Sequence, residues 1–179
     1  LRNEGRWYYL NAETDGFFIV TAFLLIACEN GSDTTEESVS ELPEEMPDEF
    51  DFSLKYGYSA ANEINTYEDT YTKDLASDGD VTTDFELSPE ERQSIYDEMR
   101  NVDILNTPNY VSDTQCVDPH GENHLTITID EETIEKDWIS AMCDDTDEKL
   151  SEFIQYVHDE YIEPTEEYQE LPEPMGGYD

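Results

Sequence analysis

The 179-residue chain carries 47 acidic residues against 8 basic ones, a formal net charge of −39. Such a charge excludes nucleic acid as a ligand, because phosphate contacts need Lys and Arg to displace counterions, and it argues against electrostatic docking on anionic lipid. It also opposes compaction by self-repulsion unless salt screens it, and the Debye length falls to about 3 Å near 1 M salt, so the composition fits a halophilic, salt-loving source. Disorder is the competing reading of so acidic a chain, but 12 Tyr, 7 Phe and 2 Trp are more aromatics than disordered acidic chains carry.

From Phe17 to Ala27 eleven residues carry no charge, and the run closes on Leu25, Ile26, Ala27 and Cys28. That length falls short of the roughly 20 residues a helix needs to cross a bilayer and fits the core of a signal peptide. The closing residues resemble the lipobox of bacterial lipoproteins: Ala27 suits a narrow peptidase pocket, and the Cys28 thiol can take a thioether-linked lipid. Residues 1–27 are therefore expected to be a lipoprotein signal peptide, with Cys28 the lipidated first residue of the mature protein. Two features depart from that pattern. Arg2 and Arg6 stand against Glu4, Glu13 and Asp15, so the leader lacks the usual positive charge, and Leu1 is not a start methionine. The alternative is a buried helix or strand with a chance cysteine.

Residues 28–49 hold nine acids, no base, and Pro43 and Pro47, and read as an acidic disordered tether extended by its own repulsion. Order is expected from Phe50, in an α+β domain over 50–163. Phe50, Phe52, Leu54, Tyr56 and Tyr58 alternate with smaller or polar residues, a period of two that predicts a strand with one apolar face. Ile64–Tyr67 and Thr70–Leu75 read as a hairpin turning at Glu68 and Asp69. Asp78, Gly79 and Asp80 make the next turn, after which Val81, Thr83, Phe85 and Leu87 alternate as a fourth strand.

Ser88, Pro89 and Glu91 predict a helix start: a hydroxyl cap, Pro at the first helical position and a Glu placed to close a capping box. Ile95, Met99 and Val102 form its apolar stripe, and the helix should end between Asn101 and Asp103. Leu125, Ile127 and Ile129, then Ile134, Lys136 and Trp138, read as a second hairpin turning at Asp130 to Glu132. Asp144, Asp145, Thr146 and Asp147 place negative charge and a capping side chain before a second helix. Its stripe is Leu150, Phe153, Ile154, Val157 and Tyr161, and Pro164 ends it. Residues 164–179 are expected to be an irregular tail lying along the domain through Tyr168 and Leu171. The fold class is thus α+β, a mainly antiparallel sheet with two helices packed on one face.

Three stretches, FSLKYGYSAANEINTYEDTYTKDL, TDFELSPEERQSIYDEM and the closing LPEPMGGYD, resemble small Gram-positive-type bacterial lipoproteins of unknown function. The resemblance covers about half of the chain. It implies a secreted, lipid-anchored α+β domain and brings with it no activity and no site residues.

Candidate chemistry is sparse. Cys116 and Cys143 would form one disulfide in an exported protein, worth roughly 3 to 4 kcal/mol on the chain-entropy model, or remain two free buried thiols. Gly57, Tyr58, Ser59, Ala60 and Ala61 approach a nucleophile elbow but lack its last glycine, and a second strand follows where a helix is needed. Cys116, His120 and His124 match no standard zinc spacing, and a disulfide would consume the thiolate, so the histidines read as solvated. His158, beside the apolar stripe and among acids, reads as a surface residue near a carboxylate. Asp78 with Asp80, and Asp144, Asp145, Asp147 and Glu148, could draw calcium, but neither set follows EF-hand order.

No catalytic set, metal site or cofactor motif emerges. The expected protein is a lipid-anchored module on the extracytoplasmic side of the cell membrane, held through its N-terminal lipid and binding a ligand or an envelope protein partner. The alternative is an envelope-polymer hydrolase using paired carboxylates.

Overall fold

In the computed structural model, which describes residues 41–107, 121–140 and 148–178, strand β1 (Phe50–Tyr56) is the centre of the fold. Its alternation drives this: Phe50, Phe52, Leu54 and Tyr56 are all buried on one face, while Asp51, Ser53 and Lys55 look the other way. Strands β2 (Asn62–Asn65), β3 (Thr70–Asp74) and β4 (Asp80–Asp84) extend the sheet from one edge of β1. Strands β5 (Gly121–Ile129) and β6 (Glu132–Ser140) extend it from the other. The result is a six-stranded, wholly antiparallel sheet in the order β4-β3-β2-β1-β5-β6.

Helix α1 (Pro89–Asn101) starts as its sequence dictates: the Ser88 hydroxyl accepts from the Glu91 amide, and the Glu91 carboxylate accepts from the Ser88 amide. Ile95, Met99 and Val102 are buried as the stripe requires, and Tyr96 joins them, its ring edge-on to Phe50 with centroids 4.8 Å apart. Helix α2 (Glu148–Val157) buries Leu150, Phe153 and Val157 in the same cluster. Both helices therefore cover the one apolar face, and the fold is α+β as expected. The opposite face is polar and includes a Thr72–Thr82 hydroxyl pair.

Four local departures have physical causes. The fourth strand stops at Asp84, yet Phe85 and Leu87 are still buried, because the chain dives from the sheet edge towards α1 and carries them into the core. The hairpin of β5 and β6 is longer than its apolar alternation, running from Gly121 to Ser140 through a turn in which Asp130 takes φ of 54°. The domain also reaches back before Phe50: Leu42 is buried, Met46 packs on the core, and the Pro43 carbonyl accepts from the Tyr96 hydroxyl at 2.8 Å.

Finally, the second helix does not run straight to Pro164. After Val157 it widens into a π-helical turn, His158–Ile162, closed by the Glu163 amide donating to the His158 carbonyl at 2.8 Å. The wider turn makes Ile162, five residues after Val157, the buried residue, and leaves Tyr161 only partly covered.

Arg92 ties the layers together. From α1 its guanidinium donates to Asp51 at 2.7 Å and to Asp69 at 3.2 Å, joining the helix to β1 and to the turn between β2 and β3. Lys136 acts similarly on the far side, donating to the carbonyls of Leu105 and Thr107.

Candidate functional site

The site lies where β1 and β3 end beneath the π-helical turn. Alternation along β3 places Tyr71 and Lys73 on the core-facing side, both buried, with Thr70, Thr72 and Asp74 less covered. Tyr56, the last residue of β1, reaches the same spot. Its hydroxyl lies 2.9 Å from the Tyr71 hydroxyl and 2.8 Å from His158 Nδ1, a residue 102 positions away.

The turn after β1 holds the next piece. Gly57 takes φ of +90°, and a Cβ there would stand 2.7 Å from Asn62 Nδ2, so glycine is needed both for the conformation and for the space. Asn62 fills that space and fixes the strand ends: its amide group donates to the Tyr56 carbonyl, and its Oδ1 accepts from the Asp74 amide at 3.1 Å.

Helix α3 (Glu166–Gln169) is capped by Thr165, whose hydroxyl accepts from the Tyr168 amide at 3.3 Å. This turn carries Tyr168 over the site, with its ring 4.2 Å from the Lys73 ammonium and edge-on to His158. Beyond it the chain doubles back. Met175 pairs with Ala76 as a parallel bridge, Gly176 turns at φ of +86°, and Tyr178 stacks on Tyr58 at 3.7 Å while its hydroxyl donates to Asp74 Oδ2. The segment expected to be an irregular tail is thus a strap that completes a cleft of about 880 Å³.

Burial decides the protonation states inside. It pushes the Tyr56 phenol well above its ordinary value, with the neighbouring Tyr71 adding to the effect, and it pushes Tyr71 up as well. His158 is lowered, first by burial and further by Lys73, against opposition from Asp159 and Glu163. At the rim, Tyr178 is pushed up to about 12, chiefly by its hydrogen bond to Asp74. The cleft floor therefore combines the Lys73 side chain with phenols and an imidazole whose charged forms burial opposes.

Burial opposes ionisation of the Tyr56 phenol, and His158 Nδ1 stands within hydrogen-bond reach of its hydroxyl. Of the two carboxylates that line the cleft, Asp74 already accepts from the Ala76 amide and from Tyr178, so it is held as a structural acceptor.

The sequence-predicted candidates lie elsewhere. Cys28, Cys116, Cys143, His120 and the Asp144, Asp145 and Asp147 cluster fall outside the described residues. His124 is on the polar face of β5, with Nδ1 2.6 Å from Asp137 Oδ1, and both side chains are exposed. Asp78 and Asp80 flank Gly79 in the turn before β4, and no group of three metal-ligating side chains occurs among the described residues. Gly57 to Ala61 is a turn joining two strands, with Ser59 exposed, so no nucleophile elbow forms. His158 corrects an expectation: it is half-buried and bonded to Tyr56, because, four residues after Ile154 and next to Val157, it continues the stripe that α2 turns towards the sheet.

Lys73 was missed altogether. Its signal was present in Thr70 to Asp74, where strict alternation sets a lysine beside a tyrosine on the apolar side, a position where lysine is rare unless paired.

No family model, curated protein or solved structure matches the chain. No helix among the described residues is long and apolar enough to cross a membrane.

Proposed function

We propose that the protein is a lipid-anchored binding module on the extracytoplasmic side of the cell membrane, tethered through Cys28, with the cleft between β1, β3, α2 and the C-terminal strap as its ligand site. The observation that carries the binding role is the cleft itself: about 880 Å³, walled by tyrosines, floored by a buried lysine, and of a size that takes a small molecule. The closing residues Leu25 to Cys28 and the acidic run after them support the anchor, and the resemblance to small bacterial lipoproteins agrees with it. An envelope-polymer hydrolase needs two carboxylates working as acid and base or nucleophile, and the commitment of Asp74 argues against that reading.

The test uses the full chain expressed with an alkyne fatty acid. Label is expected on the wild type and absent from Cys28→Ala, and an unlabelled wild type overturns the anchor. Native mass spectrometry of the same material then tests the cleft. A bound small molecule is expected on the wild type and lost from Ile154→Trp, which places an indole in the cleft wall. Retention by the filled variant assigns the ligand to another surface.

A further inference from the structure

Lys73 is 4% exposed in a chain with 47 acids and 8 bases, yet no acid among the described residues accepts from it. The contrast with other cations is direct. Arg92 is paired with Asp51 and Asp69, Lys55 with Glu63, and Lys136 donates to two backbone carbonyls. Lys73 faces an aromatic ring, at 4.2 Å, and no oxygen among the described residues accepts a hydrogen bond from it. An ammonium has three N–H donors, and a ring face satisfies at most one direction. A cation that reaches the cleft with donors free and no counter-ion among the described residues is placed to take an anion.

Ser151, on α2, also lines the cleft, and its buried hydroxyl has no hydrogen-bond partner among the described residues. Lys73 shares the cavity lining with Tyr168, Tyr178 and Ile154, and with the carboxylates of Asp74 and Asp159.

We propose that Lys73 is the anion receptor of the cleft and that the ligand is a small organic monocarboxylate with an apolar or aromatic body. The inference rests on the binding role proposed above and names the ligand class. Charge selects the class: one ammonium balances one negative charge, whereas a phosphate dianion would meet Asp74 and Asp159 in the cleft lining with a single cation to offset it. The carboxylate takes the free N–H donors of Lys73, and the body lies against the tyrosine walls, which offer face contacts and no further charge.

The experiment is a titration of the full chain, labelled with ¹³C at lysine Cε, with acetate, phenylacetate, phenylacetamide and inorganic phosphate. The four lysines keep the spectrum simple, and the signal missing from Lys73→Met assigns Lys73. Phenylacetate is expected to saturate while shifting the Lys73 signal, with phenylacetamide weaker by at least about tenfold because it lacks the charge-assisted bond. Acetate should shift the same signal with lower affinity. In Lys73→Met, phenylacetate should fall to the level of the amide. Equal binding of acid and amide to the wild type overturns the proposal without needing the variant to fold. Unchanged phenylacetate binding in Lys73→Met, tighter binding of phosphate than of either carboxylate, or a Lys73 signal that no probe moves also overturns it. The anchor stands or falls separately on the fatty-acid label, and the cleft on the filled variant.

Discussion

Tyr56 is where the two halves of the molecule meet: its hydroxyl links Tyr71 of β3 to His158 of the π-helical turn. Removing it leaves an imidazole nitrogen short of a partner in a half-buried setting, so Tyr56→Phe is expected to lower stability by about 1–3 kcal/mol in urea denaturation. The burial of His158 gives stability a pH dependence. The folded pKa of His158 lies below its ordinary 6.5, so the unfolded chain takes up the proton more readily. Its contribution is complete above about 6.5 and is lost as the pH falls from there through the lowered folded value. The urea midpoint should therefore drop between about pH 7.5 and pH 5, and the drop should shrink in His158→Gln. Equal drops in the two proteins would assign the effect to the carboxylates instead.

The strap over residues 171–178 is the element on which the cleft depends. The contacts that hold it include Met175 on Ala76 and Ser77, Leu171 on the core, Tyr178 on Tyr58 and Asp74, and the tight turn at Gly176. A Cβ at residue 176 would lie 2.7 Å from Ser77 Oγ, on a backbone at φ of +86° that side chains rarely adopt. Gly176→Ala should therefore release the strap, speeding amide exchange over residues 172–178 while β1 and β5 keep their protection. Unchanged exchange in the strap would mean that Tyr178 and Met175 hold it unaided. The π-helical turn is the other element that shapes the site, since an α-helical continuation would set Tyr161 rather than Ile162 below Val157 on the buried face.

At the scale of the whole molecule, charge governs stability. A chain of net charge −39 repels itself, and Arg92 can neutralise no more than its own neighbourhood. The thermal midpoint should rise steeply between about 0.1 M and 2 M potassium chloride, as the Debye length shrinks from about 10 Å towards 3 Å or less. Scans with matched concentrations of sucrose separate screening from general exclusion effects, and an equal rise in sucrose would remove the electrostatic explanation.

Much of the fold is written locally. The alternation in Phe50–Tyr56 and Leu125–Ile129 predicts strands and names the residues that are buried, and Ser88, Pro89 and Glu91 predict a capped helix start, because each pattern acts over a few neighbouring residues. The site was less legible. Lys73 could be placed on the apolar side of β3, but nothing near it in sequence says that Tyr168 would cover it. His158 looked solvated because its sequence neighbours are acids. What brought these groups together was the placing of β1 between β2 and β5, the insertion of a π-helical turn and the return of the C-terminal strap, all of them contacts between residues far apart in the chain. The sequence by itself determined the elements and their apolar faces, since hydrophobic periodicity and capping are short-range. Only the tertiary structure decided the cleft, since closing it depends on packing across separations of up to 104 residues, between Asp74 and Tyr178.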